Sequence, residues 1–153
     1  MENEYNMIYL NDFQDFVCDG TYCNSRCCSG WDIEIDVAAV QRYRNMDKKT
    51  KGKIKKNIKY VPELKKYFIV LKEDDTCPFL RKDMLCEIQK ENSEEYLSDI
   101  CSVYPRKYIR FNEYIYAGLI VSCPVVVRNL INYREQLFLN ENFNKITREQ
   151  MIR

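Results

Sequence analysis

The sequence predicts a small α+β domain, loop-rich and centred on a metal, with a short antiparallel hairpin and three to four helices. Three observations carry that prediction. Four of the eight cysteines fall within eleven residues, in Cys18-Asp-Gly-Thr-Tyr-Cys23-Asn-Ser-Arg-Cys27-Cys28. Two alternating segments, 107–111 and 114–120, flank Asn112-Glu113 like the arms of a hairpin, although the turn lacks the preferred glycine. Helical spacing and helix-start signals recur between and after these features. At 153 residues the chain suits one domain, or one domain with an appended tail, and 46% hydrophobic residues suffice for an ordinary core. The expected division is a cysteine-cluster domain over 1–132 and a polar tail over 133–153, read as the start of a further C-terminal region.

Taken in order, 1–16 is an aromatic, polar lead-in expected to be extended or irregular. Residues 17–31 form the cysteine-rich loop, and Trp31-Asp-Ile-Glu-Ile-Asp36 then alternates as a half-buried strand does. Asp36 is placed to cap a helix through Val37–Met46. Between Lys48 and Lys66 stand nine lysines, with Ile54, Ile58 and Val61 at i, i+4 and i+7, which predicts one amphipathic helix ended by Pro62. A solvated lysine face is the simpler reading of that run, and docking of an acidic partner the alternative. Tyr67–Leu71 predicts a strand, and Cys77-Pro78 and Lys82-Asp83 predict turns. Ser93 before Glu94 and Glu95 predicts a capped helix running to Cys101 and stopping before Pro105. Pro124 opens a last helix, at the position where no N–H is needed. Thr147–Gln150 looks like the start of another.

The charge balance, 24 basic against 23 acidic groups, gives no global pull toward nucleic acid or an acidic membrane. No stretch approaches the roughly 20 apolar residues that span a bilayer. The N-terminal sequence lacks both a basic n-region and an apolar h-region, so the expectation is a cytoplasmic protein with reduced thiols. A disulfide-stapled secreted domain is the competing reading. The chain has no histidine, so any metal must be held by sulfur, with carboxylate or an exogenous molecule completing the shell.

Four thiolates brought together are what zinc or an iron–sulfur cluster requires. The candidate metal ligands are Cys18, Cys23, Cys27, Cys28, Cys77, Cys86, Cys101 and Cys123. Cys18-x4-Cys23-x3-Cys27-Cys28 is neither the Cys-x2-Cys pair of a zinc ribbon nor the run of bacterial ferredoxins. A Cys-x3-Cys-x2-Cys loop would need a cysteine where Gly30 stands. Eight thiols suffice for one cluster with spare structural cysteines, or for two four-thiolate sites, and spacing leaves both open.

The ordered series resembles the flagellin lysine N-methylase family, whose cysteine pattern is related to that of small zinc- or iron-chelating proteins. The matching residues are Phe16-x-Cys18, Cys23-x3-Cys27-Cys28-x2-Trp31-x-Ile33-x-Ile35-Asp36, Cys77-Pro78-Phe79-Leu80 and Leu85-Cys86-x-Ile88-Gln89. They continue with Glu95-Tyr96-Leu97-Ser98, Cys101-x2-Tyr104-Pro105-Arg106 and Leu119-x2-Ser122-Cys123-Pro124. The resemblance implies transfer of methyl groups from S-adenosylmethionine to lysines of flagellin, by an enzyme carrying an iron–sulfur cluster of the 4Fe-4S kind, with zinc as the alternative. Members of the family are longer, so this chain is expected to be their N-terminal, cluster-bearing part. The binding alternative is a stand-alone cysteine-cluster module that chelates zinc or iron without catalysis. Glu34, Asp36 and Tyr104 are the groups that would assist proton removal from a lysine, each with a plainer structural role. Trp31 is expected as a core anchor or a shield over the cluster, and Arg106 as a counter-charge to the cluster or to a carboxylate.

Overall fold

A computed structural model of the chain describes residues 5–132 and 139–146. In chain order the elements are β1 (Tyr5–Leu10), β2 (Glu34–Ile35), α1 (Val37–Tyr43), α2 (Lys48–Asn57), β3 (Ile58–Val61) and β4 (Lys66–Ile69). There follow α3 (Glu87–Glu91), α4 (Asp99–Val103), β5 (Arg106–Phe111), β6 (Tyr114–Leu119), α5 (Pro124–Asn132) and β7 (Leu139–Ile146). The class is mixed α+β, with five short helices among the described residues where three or four were expected. Contacts divide the chain into two compact units, Met1–Cys23 with Val103–Arg153, and Asn24–Ser102.

The first unit is a four-stranded sheet in the order β5-β6-β1-β7. The predicted hairpin is present as β5–β6, with Arg106 opposite Leu119 and Phe111 opposite Tyr114. Its tight turn rests on Asn112, whose φ of 55° is a conformation that asparagine tolerates better than most residues. Of the two expectations for the lead-in, extended holds over Tyr5–Leu10. Tyr5–Leu10 forms an inner strand, parallel to β6 and antiparallel to β7. Leu139–Ile146, read from sequence as polar tail, supplies that last strand. Tyr9, Phe13 and Ala117 are buried under the sheet, and Phe16, Cys23, Cys123, Val125 and Val126 form a second apolar group around the start of α5. Arg106 ties the segment after β1 down. It donates to the Phe16 carbonyl at 3.0 Å and lies over the rings of Phe13 and Phe16 at 5.8 and 5.4 Å. The expected helix start at Thr147 lies outside the described residues.

The second unit joins a small sheet, in the order β2-β4-β3, to helices α1 to α4. Its core is Ile33, Ile35, Ala39, Tyr43, Met46, Ile54, Ile69, Cys77, Phe79, Ile88 and Leu97. The predicted strand is shorter than expected, and the lysine-rich run is not one helix. α2 ends at Asn57, and Ile58–Val61 instead pairs with Lys66–Ile69 as a hairpin turned through Lys65 at φ 54°. Ile58, Tyr60 and Val61 are β-formers, and Pro62 prevents helix continuation. Pairing with β4 therefore wins over the helical spacing.

The predicted helix from Ser93 to Cys101 is also broken. A 3-10 turn covers Glu94–Tyr96, Leu97 is extended, and α4 starts at Asp99. Ser93 does not cap with its side chain. Asp36 does that work for two helices at once. Its Oδ1 accepts from Ala39 N at 2.7 Å, capping α1, and its Oδ2 accepts from Asp99 N at 2.9 Å, at the start of α4. Arg42, one turn along α1, donates to the Leu97 carbonyl at 2.8 Å, an acceptor that the break in the helix leaves open.

Candidate metal centre

Five of the eight cysteines belong to the second unit and three to the first, so the crowded stretch is cut between Cys23 and Cys27. All eight are thiols, none in a disulfide. In the first unit Cys18 is exposed, while Cys23 and Cys123 are buried with Phe16 and Val125. Cys23 Sγ lies 3.9 Å from the Gly20 carbonyl. Those two behave as small buried apolar side chains.

The other five belong to the second unit, four of them in or against its core. Asn24 and Ser25 adopt positive φ, of 49° and 52°, and turn the chain into a 3-10 turn over Arg26–Cys28. The Ser25 hydroxyl fastens that turn to the Met84 carbonyl. Cys77 N then donates to the Cys28 carbonyl at 2.7 Å, beside a bridge between Ser29 and Thr76, so residues 49 positions apart lie side by side. Gly30, at φ 76°, donates to the Asp75 carbonyl at 3.0 Å and needs the conformational freedom of glycine. Pro78 follows Cys77, and a second bridge, Leu80 with Cys86, folds the next loop back. Cys86 sits at the N-terminus of α3, and Cys101 within α4. Cys28, Cys86, Cys101 and Trp31 pack against the core to which Cys77 belongs. Trp31 is thus a core residue, with its indole N–H on the Cys27 carbonyl at 3.1 Å.

The sulfurs act on one another. Cys27 and Cys28 Sγ are 3.9 Å apart. Hydrogen bonding from Cys28 holds the Cys27 thiol down to about 7 and lowers Cys77 as well, while Cys28, the shared donor, is pushed up. Burial raises Cys86 and pushes Cys101 up to about 12, and negative charge on Cys77 and Cys27 adds to both. Cys27 and Cys77 are thus the thiols that ionise more readily, and Cys28, Cys86 and Cys101 the ones that resist it.

In donor chemistry, though not in arrangement, these residues suit a thiolate-ligated centre. The donor set is all sulfur, and the 3.9 Å between Cys27 and Cys28 matches the edge of about 3.8 Å that zinc–sulfur bonds of about 2.3 Å give a tetrahedron. As the side chains stand, no three cysteine, aspartate or glutamate groups among the described residues are arranged to hold a metal ion. The contacts are pairwise. Sequence spacing gave no way to separate the five cysteines of the second unit from the other three, because the bridges 29–76 and 80–86 that gather them are tertiary.

The groups considered for proton removal all have structural partners. Tyr104 Oη is 3.2 Å from Ser122 Oγ, Glu34 pairs with Lys66 at 2.6 Å, and Asp36 holds two helix starts. The four glycines stand apart at 20, 30, 52 and 118, so the sequence has no glycine-rich strand-to-helix turn for a nucleotide-like methyl donor.

The chain is similar to flagellar and lysine-methylase proteins of Salmonella. It is 28% identical over 146 residues to the "Flagellar biosynthetic protein FliU" of Salmonella muenchen, covering 90% of this chain and 83% of that one. It is 30% identical over 134 residues to the "Lysine-N-methylase" of Salmonella typhimurium, and 29% identical to that of Salmonella choleraesuis. In both methylases the match takes in 82% of this chain, which spans only 32% of their length. No family model and no solved structure matches. Among the described residues no helix is long and apolar enough to cross a membrane.

Proposed function

We propose that this chain is the cysteine-bearing portion of a cytoplasmic protein-lysine N-methyltransferase that acts on flagellin, with S-adenosylmethionine as methyl donor. The observation that carries the reading is the similarity, over most of the chain, to proteins named for lysine methylation and for flagellar biosynthesis. In such a transfer the neutral lysine amine attacks the sulfonium methyl. The C–N bond forms as the C–S bond breaks, S-adenosylhomocysteine leaves, and the new ammonium loses a proton to solvent. No residue of this chain is assigned to that step, since the carboxylates and the phenol considered for it hold structural partners. The five cysteines of the second unit are proposed to hold an iron–sulfur cluster, or zinc in its place. Such a centre would supply a crosslink between the 26–28 turn, the Cys77 loop, α3 and α4, and, if iron–sulfur, an electron-transfer site.

The test is incubation of the anaerobically purified chain with flagellin and methyl-labelled S-adenosylmethionine, with label mapped by mass spectrometry. Label on flagellin lysines is expected. Metal-loaded, folded protein that leaves flagellin unlabelled would overturn the catalytic reading for this chain. That outcome would favour the second reading, a chelating module without activity of its own, which the short span against the two methylases supports.

A further inference from the structure

We propose that the lysine-bearing surface of α2 and the β3–β4 hairpin is a docking surface for an acidic polypeptide segment that carries apolar side chains among its carboxylates. Residues 48–66 hold nine lysines and one glutamate, a charge of +8 in a chain whose net charge is +1, so the remainder carries −7. The structure neutralises two of the nine. Lys53 pairs with Glu87 and Lys66 with Glu34. Lys48, Lys49, Lys51, Lys55, Lys56, Lys59 and Lys65 are exposed, and no ion pair joins any of them to another described residue.

On α2 those lysines share one arc, opposite buried Thr50 and Ile54. Lys48 and Lys51 are three apart and Lys51 and Lys55 four apart, spacings at which like charges repel along a helix. The helix keeps that repulsion although its exposed positions would accept any good helix former. An arriving anionic surface relieves it.

The same surface is not purely ionic. Tyr60, Leu64 and Val70, in or next to the β3–β4 hairpin, are 45%, 58% and 46% exposed. β3 is an edge strand of its sheet. Apolar anchors within a charged rim are the anatomy of a polypeptide contact. Lysine pairs with carboxylate and phosphate alike, so the exposed apolar side chains make the choice: Leu64 and Val70, 58% and 46% exposed, offer packing to apolar residues of a peptide that a sugar–phosphate backbone cannot use. Under the proposed function that segment belongs to the methylation substrate, which would place target lysines on an acidic surface. The docking is measured without methyl transfer, so failure of one does not entail failure of the other.

The experiment uses the full chain and three labelled probes of equal length, followed by fluorescence anisotropy: a glutamate–leucine peptide, a lysine–leucine peptide and a single DNA strand. The expected result is binding of the acidic peptide alone, weakening as salt rises. The triple variant Lys51→Glu/Lys55→Glu/Lys59→Glu should weaken it by about tenfold or more. The milder variant with glutamine at the same positions should give a smaller loss. Lys82→Glu/Lys107→Glu, exposed but outside the run, should leave binding unchanged. Unaltered Trp31 emission in each variant checks the fold. Acidic-peptide binding that survives the triple reversal, absence of that binding, or tighter binding of the DNA strand at the same salt would each overturn the proposal.

Discussion

Replacing Asp36 with alanine is expected to destabilise the second unit by about 2–4 kcal/mol. Two losses add. The α1 N-terminus forfeits its cap, the 2.7 Å bond to Ala39 N, and an Asp-to-Ala change at an N-cap costs about 1 kcal/mol. The Asp99 N–H, held at 2.9 Å by the second carboxylate oxygen, loses its partner in a partly buried setting, and an orphaned donor costs about 1–3 kcal/mol. Asp36→Asn separates geometry from mere polarity. Asparagine retains one carbonyl oxygen, enough for one helix start, and presents an NH2 to the other, so about half the loss is expected. Urea unfolding followed by the emission of Trp31, the one tryptophan of the chain, reads the unit directly because its indole is tied to the Cys27 carbonyl. A shift of the Asp36→Ala midpoint equivalent to less than about 0.5 kcal/mol, the range of ordinary surface changes, would refute the double-cap argument. So would an asparagine variant as damaged as the alanine one.

The partition of the cysteines predicts that Cys77→Ser and Cys27→Ser lower bound iron or zinc in the purified protein, whereas Cys18→Ser and Cys123→Ser leave the metal content unchanged; the reverse pattern would move the centre to the first unit. Two glycines should respond with opposite sign although neither has an atom within 4 Å of an added Cβ. Gly52→Ala, in the middle of α2, is expected to stabilise by about 0.5–1 kcal/mol, and Gly30→Ala, at φ 76°, to destabilise by about 1–2 kcal/mol, both by denaturant titration. Asp83, bonded by Lys90 at 2.7 Å and by Arg81, is held down to about 2. Since its folded value lies below that of the unfolded chain, its stabilisation is present above about pH 4 and lost as pH falls through 2. An NMR titration should show this midpoint and its rise toward the ordinary carboxylate value in Lys90→Ala; an unchanged midpoint would dismiss the pairing.

The parts of the fold legible in the sequence are those fixed by neighbours in the chain. The β5–β6 hairpin follows from alternation on either side of a two-residue turn, α5 from Pro124 at its first position, and the α1 cap from Asp36. The β3–β4 hairpin was hidden because Ile54, Ile58 and Val61 satisfy helical spacing equally well. The conflict is settled by pairing of Ile58 with Ile69, eleven residues on. β1 was hidden more deeply. Met-Ile-Tyr-Leu is a weak strand signal among acidic and asparagine residues, and its pairing with β6, Asn6 opposite Tyr114 and Tyr9 opposite Ala117, is a contact between residues far apart in sequence.

Composition and residue order determined that this is an α+β chain without histidine, rich in thiols, with a strongly basic segment. They offered eight cysteines as a single set. Only the tertiary structure divides them, because which thiols meet depends on backbone bonds such as Cys77 N to the Cys28 carbonyl. Spacing along the chain is a local quantity, whereas the neighbours of a thiol are set by loops that approach from 49 residues away, as Cys77 does to Cys28, beside the buried core around Phe79 and Ile33.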